Sequence, residues 1–124
     1  MSVTVRPATG ADFEAFDRPL PPFRVRAWAA EIDGRVIGLG GLGFPPGGPP
    51  LAWVDIDEEA RGYPVALHKT GRAFMAYVRE LGIPRVVATC DPQSEAANRW
   101  LRRLGFTDTG LLADDRKVYA WSIS

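Results

Sequence analysis

Six consecutive proline and glycine residues at positions 45–50 constrain the folding of this chain more than any other segment. Proline fixes φ and has no backbone N–H, so neither a helix interior nor a central strand can pass through this Pro/Gly segment. Four more glycines, at positions 38, 40, 41 and 43, come directly before it. The segment therefore separates two elements, and the stretch that leads into it has a weak intrinsic strand preference.

Composition excludes several classes of protein. The 124 residues include 15 Lys+Arg and 15 Asp+Glu, so the net charge is +0, whereas nucleic-acid binders usually carry a basic excess. No apolar run approaches the roughly 20 residues that cross a bilayer, and the first residues do not form a signal-peptide pattern. The single cysteine cannot form an internal disulfide. We therefore expect a cytoplasmic protein that binds neither nucleic acid nor membrane.

Hydrophobic periodicity predicts the element order βαβββαβαββ in one domain over residues 1–124. Asp33-Gly34 lies between two apolar runs, which is typical of a tight hairpin turn. Gly82 and Gly105 follow the two longer helical patterns and predict their C-terminal ends. The predicted strands cover about residues 3–7, 25–32, 36–44, 51–56, 85–90, 107–111 and 118–123, and the predicted helices cover about residues 9–16, 65–81 and 94–104.

The glycines at positions 38–43 also satisfy the pattern G-x-G-x-x-G. In a dinucleotide site those glycines turn a strand into a helix whose N-terminus meets the pyrophosphate. Here the Pro/Gly segment follows, so no helix begins. We therefore interpret these glycines as residues that let another backbone or a ligand approach a strand closely.

Two segments carry candidate chemistry. Asp55 and Asp57 lie at the end of the fourth predicted strand, where a carboxylate is either a general base or part of a solvated acidic turn. The stretch 61–66 opens the long predicted helix directly after that turn. A helix N-terminus offers unpaired backbone N–H groups and the positive end of the helix dipole, which suit a pyrophosphate.

Four local sequences, in this order along the chain, resemble the GNAT superfamily of acyl-CoA-dependent N-acyltransferases. They are the opening Val5-Arg6-Pro7-Ala8-Thr9 with Asp12-Phe13, the hairpin Glu31-Ile32-Asp33-Gly34-Arg35-Val36-Ile37-Gly38, the pyrophosphate-loop match Arg61-Gly62-x-x-x-Ala66, and the closing Ala97 with Leu104-Gly105-Phe106. The resemblance covers nearly the whole chain. Segments 25–31, 44–50 and 61–68 also resemble, more narrowly, the sequences of small GNAT-like proteins encoded in bacteriophage and prophage regions.

The resemblance implies a mixed α+β fold with a mostly antiparallel sheet, whose fourth and fifth strands splay apart around the pantetheine arm of acetyl-CoA. His68 is the only histidine, so the sequence offers no His-based metal cluster and we expect no metal. The Pro/Gly segment becomes a stiff connection between the third and fourth strands. The implied catalytic groups are Asp55 or Asp57 as general base and Tyr63, with Tyr77 as an alternative, as general acid. The implied CoA-binding residues are Ile56, Arg61, Gly62, Tyr63, Val65, Ala66 and Ser94.

Three positions depart from the pattern that the chain resembles. Pro64 replaces the middle glycine of the pyrophosphate loop and removes one N–H donor. Ser94 stands where members often carry asparagine, and Leu101 where they often carry the tyrosine that protonates the leaving thiolate. Two functions therefore stay open: acetyl transfer from acetyl-CoA to an amine of a small molecule or protein, and a non-catalytic binding or virion-associated GNAT-fold protein. Either state, monomer or homodimer, is compatible with the sequence.

Overall fold

A computed structural model describes residues 3–123 of the chain. Its helices and strands follow the predicted order and differ from the predicted bounds by a few residues at most. The elements are β1 (Thr4–Pro7), α1 (Gly10–Ala15), β2 (Arg24–Ile32), β3 (Arg35–Phe44), β4 (Leu51–Ile56), α2 (Pro64–Glu80), β5 (Arg85–Cys90), α3 (Glu95–Arg103), β6 (Thr107–Ala113) and β7 (Arg116–Ser122), with a 3₁₀ turn at Glu59–Gly62.

All seven strands join one sheet in the order β1-β2-β3-β4-β5-β7-β6. Every neighbouring pair is antiparallel except β4 and β5, which are parallel because α2 connects them as a crossover. The prediction of a mixed, mostly antiparallel α+β fold is confirmed.

The pairing of β4 with β5 is short. Only Leu51–Val87 and Ala52–Ala88 are in register, whereas β3 and β4 stay paired from Gly43–Leu51 to Gly38–Ile56. The C-terminal part of β4 therefore separates from β5 while it stays bonded to β3. This separation, which we call the splay, divides the sheet into a β1–β4 half and a β5–β7 half.

Helices cover both faces of the sheet. α2 and α3 pack over the largest buried cluster, which includes Leu42, Val86 and Tyr119. α1 lies on the opposite face, where Phe13 packs with Ala29 and Leu39. The two faces follow from strand alternation, since Leu39 and Leu42 are three residues apart in β3.

The Pro/Gly segment connects β3 to β4, as predicted. The glycines before it allow a close approach of the neighbouring backbone at one position in particular. A Cβ at Gly41 would lie 2.1 Å from the carbonyl oxygen of Arg26 in β2, and a Cβ at Gly43 would lie 2.7 Å from the Phe23 ring. The expectation of a close backbone approach is confirmed at Gly41.

Candidate functional site

A cleft of about 590 Å³ opens where β4 and β5 separate. Residues on both faces of the sheet line it, so the cleft crosses the sheet. Phe74 of α2 and Trp100 of α3 line one side, and Arg18, Trp53 and Asp55 line the α1 side. The cleft lies at the parallel strand pair, as the resemblance implies.

The backbone of β4 presents polar groups to this cleft. The N–H of Asp57 donates to Ile37 O, and Val87 N–H donates to Pro50 O, at 3.0 Å each. Successive residues of a strand direct their N–H groups to opposite neighbours, so odd-numbered residues of β4 face β3 and even-numbered residues face β5. Beyond Ala52 the strand β5 has moved away. The N–H groups of Val54 and Ile56 therefore point into the splay.

At the start of α2, two N–H groups of the predicted pyrophosphate loop lie outside the helical hydrogen-bond ladder. The first bond of the helix runs from Leu67 N–H to Tyr63 O, so the N–H groups of Val65 and Ala66 precede the helical ladder. The N–H of Tyr63 already donates to Ala60 O at 3.0 Å. Pro64 occupies the first helical position, where a missing N–H costs the helix nothing.

The remaining residues of the predicted loop lie in or beside the 3₁₀ turn. Arg61 is exposed and lines the cleft, and Gly62 is exposed at the end of the turn. Ile56 ends β4 and packs against the buried pair Ile32 and Ile37. The structure thus brings the backbone of Ile56, the side chain of Arg61 and the start of α2 to one end of the splay.

Asp55 lines the cleft on the α1 side of the sheet. The guanidinium of Arg18 donates from Nη1 to Asp55 Oδ2 at 2.7 Å, and both side chains are about one-third exposed, at 34% and 36%. The same guanidinium lies over the Trp53 ring, 4.1 Å from its centroid. Trp53 in turn contacts Phe13 of α1. This stack positions Arg18 beside the carboxylate.

The other predicted catalytic groups lie apart from Asp55. The Asp57 carboxylate accepts a bond from Ala60 N–H at 3.0 Å and so holds the 3₁₀ turn. Tyr63 packs against the cluster of Ile32, Ile37 and Ala60. The Tyr77 hydroxyl accepts a bond from Arg26 at 2.6 Å. Among the described residues that line the cleft, none is a tyrosine.

Ser94 lines the cleft and begins α3. Its hydroxyl oxygen accepts a bond from Ala97 N–H at 3.2 Å, which caps the helix. One turn later the buried Asn98 donates to Ser94 O and Asp91 O and accepts a bond from the Tyr119 hydroxyl at 2.7 Å. This network fixes the start of α3 at the rim of the cleft. Leu101 also lines the cleft and contributes apolar surface.

Cys90 ends β5 at the cleft, and its thiol is buried. Burial raises the pKa of the Cys90 thiol, and the thiol donates to Asp91 O at 3.4 Å. A thiol held in its neutral form is a poor nucleophile. Cys90 therefore contributes a small apolar wall to the cleft.

Sequence reasoning missed Arg18, Trp53 and Trp100 as cleft residues. Arg18 follows a short helix in a proline-rich loop, where no pattern indicates a role. Trp53 lies in an apolar strand, and this pattern predicts a core residue. The indole Nε1 of Trp100 is buried without a hydrogen-bond partner among the described residues, a feature that only coordinates reveal.

The fold defined by this sheet and its splay is that of the GNAT N-acetyltransferases. An N-acetyltransferase from Staphylococcus aureus Mu50 superposes with a TM-score of 0.75 over 100% of both chains, at 17% identity. An acetyltransferase from Agrobacterium tumefaciens C58 gives 0.74 over 98% of this chain and 91% of that chain, at 20% identity. The ribosomal-protein-S5-alanine acetyltransferase of Vibrio fischeri gives 0.73 over 98% and 93%, at 12% identity.

No protein-family model matches the sequence, and a search of curated proteins also found no match. Within residues 3–123, no helix is long and apolar enough to cross a membrane. The same residues contain no group of three or more His, Cys, Asp or Glu side chains placed to hold a metal ion.

Proposed function

We propose that this protein is an acyl-CoA-dependent N-acyltransferase that transfers an acetyl group from acetyl-CoA to a primary amine. The observation that carries the proposal is the splay: a cleft that crosses the sheet and is lined by Val54, where Val54 and Ile56 direct backbone N–H groups to the side from which β5 has moved away. A donor thioester approaches such a cleft from the α2 and α3 side, and an amine approaches from the α1 side.

The backbone of β4 supplies the electrostatic part of the proposed reaction. Attack on a thioester carbonyl develops negative charge on the carbonyl oxygen, and N–H groups fixed in a sheet stabilise that charge without reorganising. The N–H of Val54 faces the middle of the splay. We assign the CoA pyrophosphate to the Val65 and Ala66 N–H groups, at the positive end of the α2 dipole, and to the side chain of Arg61, which lines the cleft.

Asp55 is the proposed general base because, of the predicted acids and bases, it alone lines the cleft among the described residues. The amine reaches the site as an ammonium. One of its protons passes to Asp55, directly or through a water, and then to solvent. The nitrogen forms a bond to the acyl carbon as the carbon–sulfur bond breaks, and the second proton goes to the leaving thiolate. Tyr63 stays our proposed source of an acid at the thiolate, although it would have to leave its packing against Ala60.

Calorimetric and thermal-shift titrations with acetyl-CoA test the proposal. Ligand at about 100 times its Kd stabilises the folded state by about 2.7 kcal/mol, which raises Tm by several degrees in a chain of this size. Arg61→Gln should weaken CoA binding about tenfold, since a charge-assisted contact to phosphate is lost. Arg99→Gln, an exposed arginine of α3 that does not line the cleft, is the matched control. No response to millimolar acetyl-CoA would contradict the proposal.

One observation favours a second function, a GNAT-fold protein without catalysis, such as a phage-derived binding or virion-associated protein. The cleft holds Leu101 at the position where the family it resembles often carries tyrosine. Steady-state thiol release with a panel of amines separates the two. Turnover that falls about a hundredfold or more in Asp55→Asn supports the enzyme. CoA binding without turnover supports the second function.

A further inference from the structure

We propose that the acceptor is a free α-amino acid with an apolar side chain, bound as a zwitterion between Arg18 and Asp55. This inference rests on the proposed acyltransferase function and names its substrate class. The ion pair of Arg18 and Asp55 presents a cation and an anion 2.7 Å apart at the α1 side of the cleft. An α-amino acid carries the complementary charges on two groups bonded to the same carbon, its carboxylate for Arg18 and its ammonium for Asp55.

The ion pair is suited to exchange for such a ligand. Each side chain is about one-third exposed, and an ion pair with that exposure contributes little to stability. A zwitterion replaces both contacts at once, so neither charge loses its partner. Meanwhile the cation–π contact with Trp53 keeps the guanidinium in place. The ammonium then lies against the proposed base.

A simple amine, a lysine side chain or a polyamine fits this arrangement less well. Its ammonium would take Asp55 and leave the guanidinium of Arg18 without an anion in a partly desolvated position. The other carboxylates nearby, Asp17 in the outer cavity and Asp91 at the cleft, make no hydrogen bond or ion pair with Arg18 among the described residues. Asp17 is exposed and borders the outer cavity beside Arg18, whereas Arg116 is a second cation and donates to Thr89 Oγ1 at 3.3 Å. The charge balance at this place therefore favours a ligand that brings its own carboxylate.

An apolar pocket adjoins the ion pair and determines which side chain of the acceptor amino acid fits. Its volume is about 190 Å³. A cavity of about 15 Å³ is enough to hold one water molecule, so this pocket is more than ten times larger. Pro21, Phe23, Leu51 and Trp53 supply apolar walls, and Arg18 lies at its edge. The pocket shares Trp53 and Ala52 with the cleft, so a side chain seated there belongs to the same ligand as an amine at Asp55. Leucine and phenylalanine have the required shape and polarity.

The test compares three acceptors with the full chain and acetyl-CoA: L-phenylalanine, L-phenylalaninamide and phenethylamine, which differ only in the carboxylate. We expect kcat/KM for L-phenylalanine to exceed both others by about tenfold, the usual worth of a charge-assisted pair. Arg18→Gln should raise KM for L-phenylalanine and leave kcat nearly unchanged, so that the three acceptors become equal within about twofold. Arg18→Lys, which keeps the charge without the fork, should restore part of the preference.

Arg24→Gln is the matched control, because Arg24 also lies over an aromatic ring, that of Phe44, but does not line the cleft. It should keep the full preference. Calorimetric titration of L-phenylalanine into CoA-saturated protein gives a readout without turnover, and Arg18→Gln should weaken the measured binding about tenfold. Equal or better turnover of phenethylamine or the amide would overturn this inference and leave the acyltransferase intact. Absence of both CoA binding and transfer to any amine would overturn the proposed function itself, and with it the inference, which rests on that function.

Discussion

Arg6 and Asp12 show how two side chains fix the position of α1 relative to β1. Arg6 lies in β1. Its guanidinium donates two hydrogen bonds to the Asp12 carboxylate, at 2.8 and 3.0 Å, and a third to the Glu31 carboxylate at 3.1 Å. Asp12 also accepts a bond from Thr9 N–H at 2.7 Å and so caps α1. The Arg6 hydrogen bonds, with help from those of Thr9, lower the pKa of Asp12 to about 2.

Asp12→Asn should destabilise the protein by about 2 kcal/mol at neutral pH, because the buried site loses its charge-assisted bonds to Arg6. The folded-state pKa lies below the unfolded value, so this stability is complete above about pH 4 and is lost as the pH falls toward 2. The difference between wild type and variant should therefore shrink over that window. Urea unfolding at pH 7, 4 and 2.5 measures it.

Asp115→Asn provides the control for that experiment, since Asp115 is exposed at a positive φ of 63°, which asparagine also adopts. It should change the unfolding free energy by less than about 0.5 kcal/mol at every pH. A wild-type to Asp12→Asn difference that stays constant down to pH 2.5 would show that the carboxylate charge contributes nothing.

Residue-scale contacts were predictable only when they were local. The sequence predicted a helix over about residues 9–16, and the contact between Thr9 N–H and the Asp12 carboxylate, three residues later, lies at the start of α1. Asp55 was a candidate because it ends an apolar strand beside other carboxylates. Its partner Arg18 lies 37 residues earlier. No periodicity relates two such residues, since only the sheet and the position of α1 bring them together.

At the scale of elements, β3 depends on the absence of side chains at particular positions. Gly41→Ala should destabilise the protein by about 3 kcal/mol or more, because its Cβ would lie 2.1 Å from Arg26 O in the paired strand. Gly38→Ala in the same strand should cost under about 1 kcal/mol, since its Cβ would meet ordinary contacts at 3.6 to 3.7 Å. Equilibrium unfolding of the two variants and the wild type measures both changes in unfolding free energy. Equal effects would mean that β2 and β3 adjust freely.

Element order was predictable because turn residues punctuate this sequence strongly. β4 and β5 occupy the predicted residues, and the hairpin at Asp33-Gly34 joins β2 to β3. The final hairpin was bounded less well: β6 extends to Ala113 and β7 begins at Arg116. Asp114 and Asp115 make this turn with positive φ at both residues, a conformation that Asn-Gly or Asp-Gly signals more clearly than Asp-Asp.

Gly71 shows a second limit of local patterns. From the sequence alone, a glycine inside α2 is expected to lower the stability of the helix by roughly 1 kcal/mol relative to alanine. In the structure a Cβ there would meet Trp100 at 3.0 Å and Leu104 at 3.1 Å. The glycine therefore lets the side chains of α3 pack close to α2, a reason that becomes visible only when both helices are placed on one face.

The whole molecule is two sheet halves joined by two residue pairs and by the helices that cover them. The residues alone did not predict this division, because strand patterns indicate neither which strands pair nor how far the pairing runs. The resemblance implied it. Its consequence is a row of backbone groups in β4 whose environment alternates: Trp53 and Asp55 bond to β3, and Val54 and Ile56 face the splay.

Amide hydrogen exchange followed by NMR tests this alternation and the proposed use of the cleft together. In the free protein Val54 and Ile56 should exchange at least about tenfold faster than Trp53 and Asp55, because a strand amide without a partner strand opens with little cost. Saturation with acetyl-CoA, which carries the acyl carbonyl, should slow Val54 and Ile56 and leave their neighbours nearly unchanged. The neighbours are an internal control, since general stabilisation would slow all four amides alike. Uniform protection in the free protein would mean that the splay is closed in solution. Unchanged Val54 exchange in protein saturated with acetyl-CoA would remove the backbone contact on which the proposed catalysis depends.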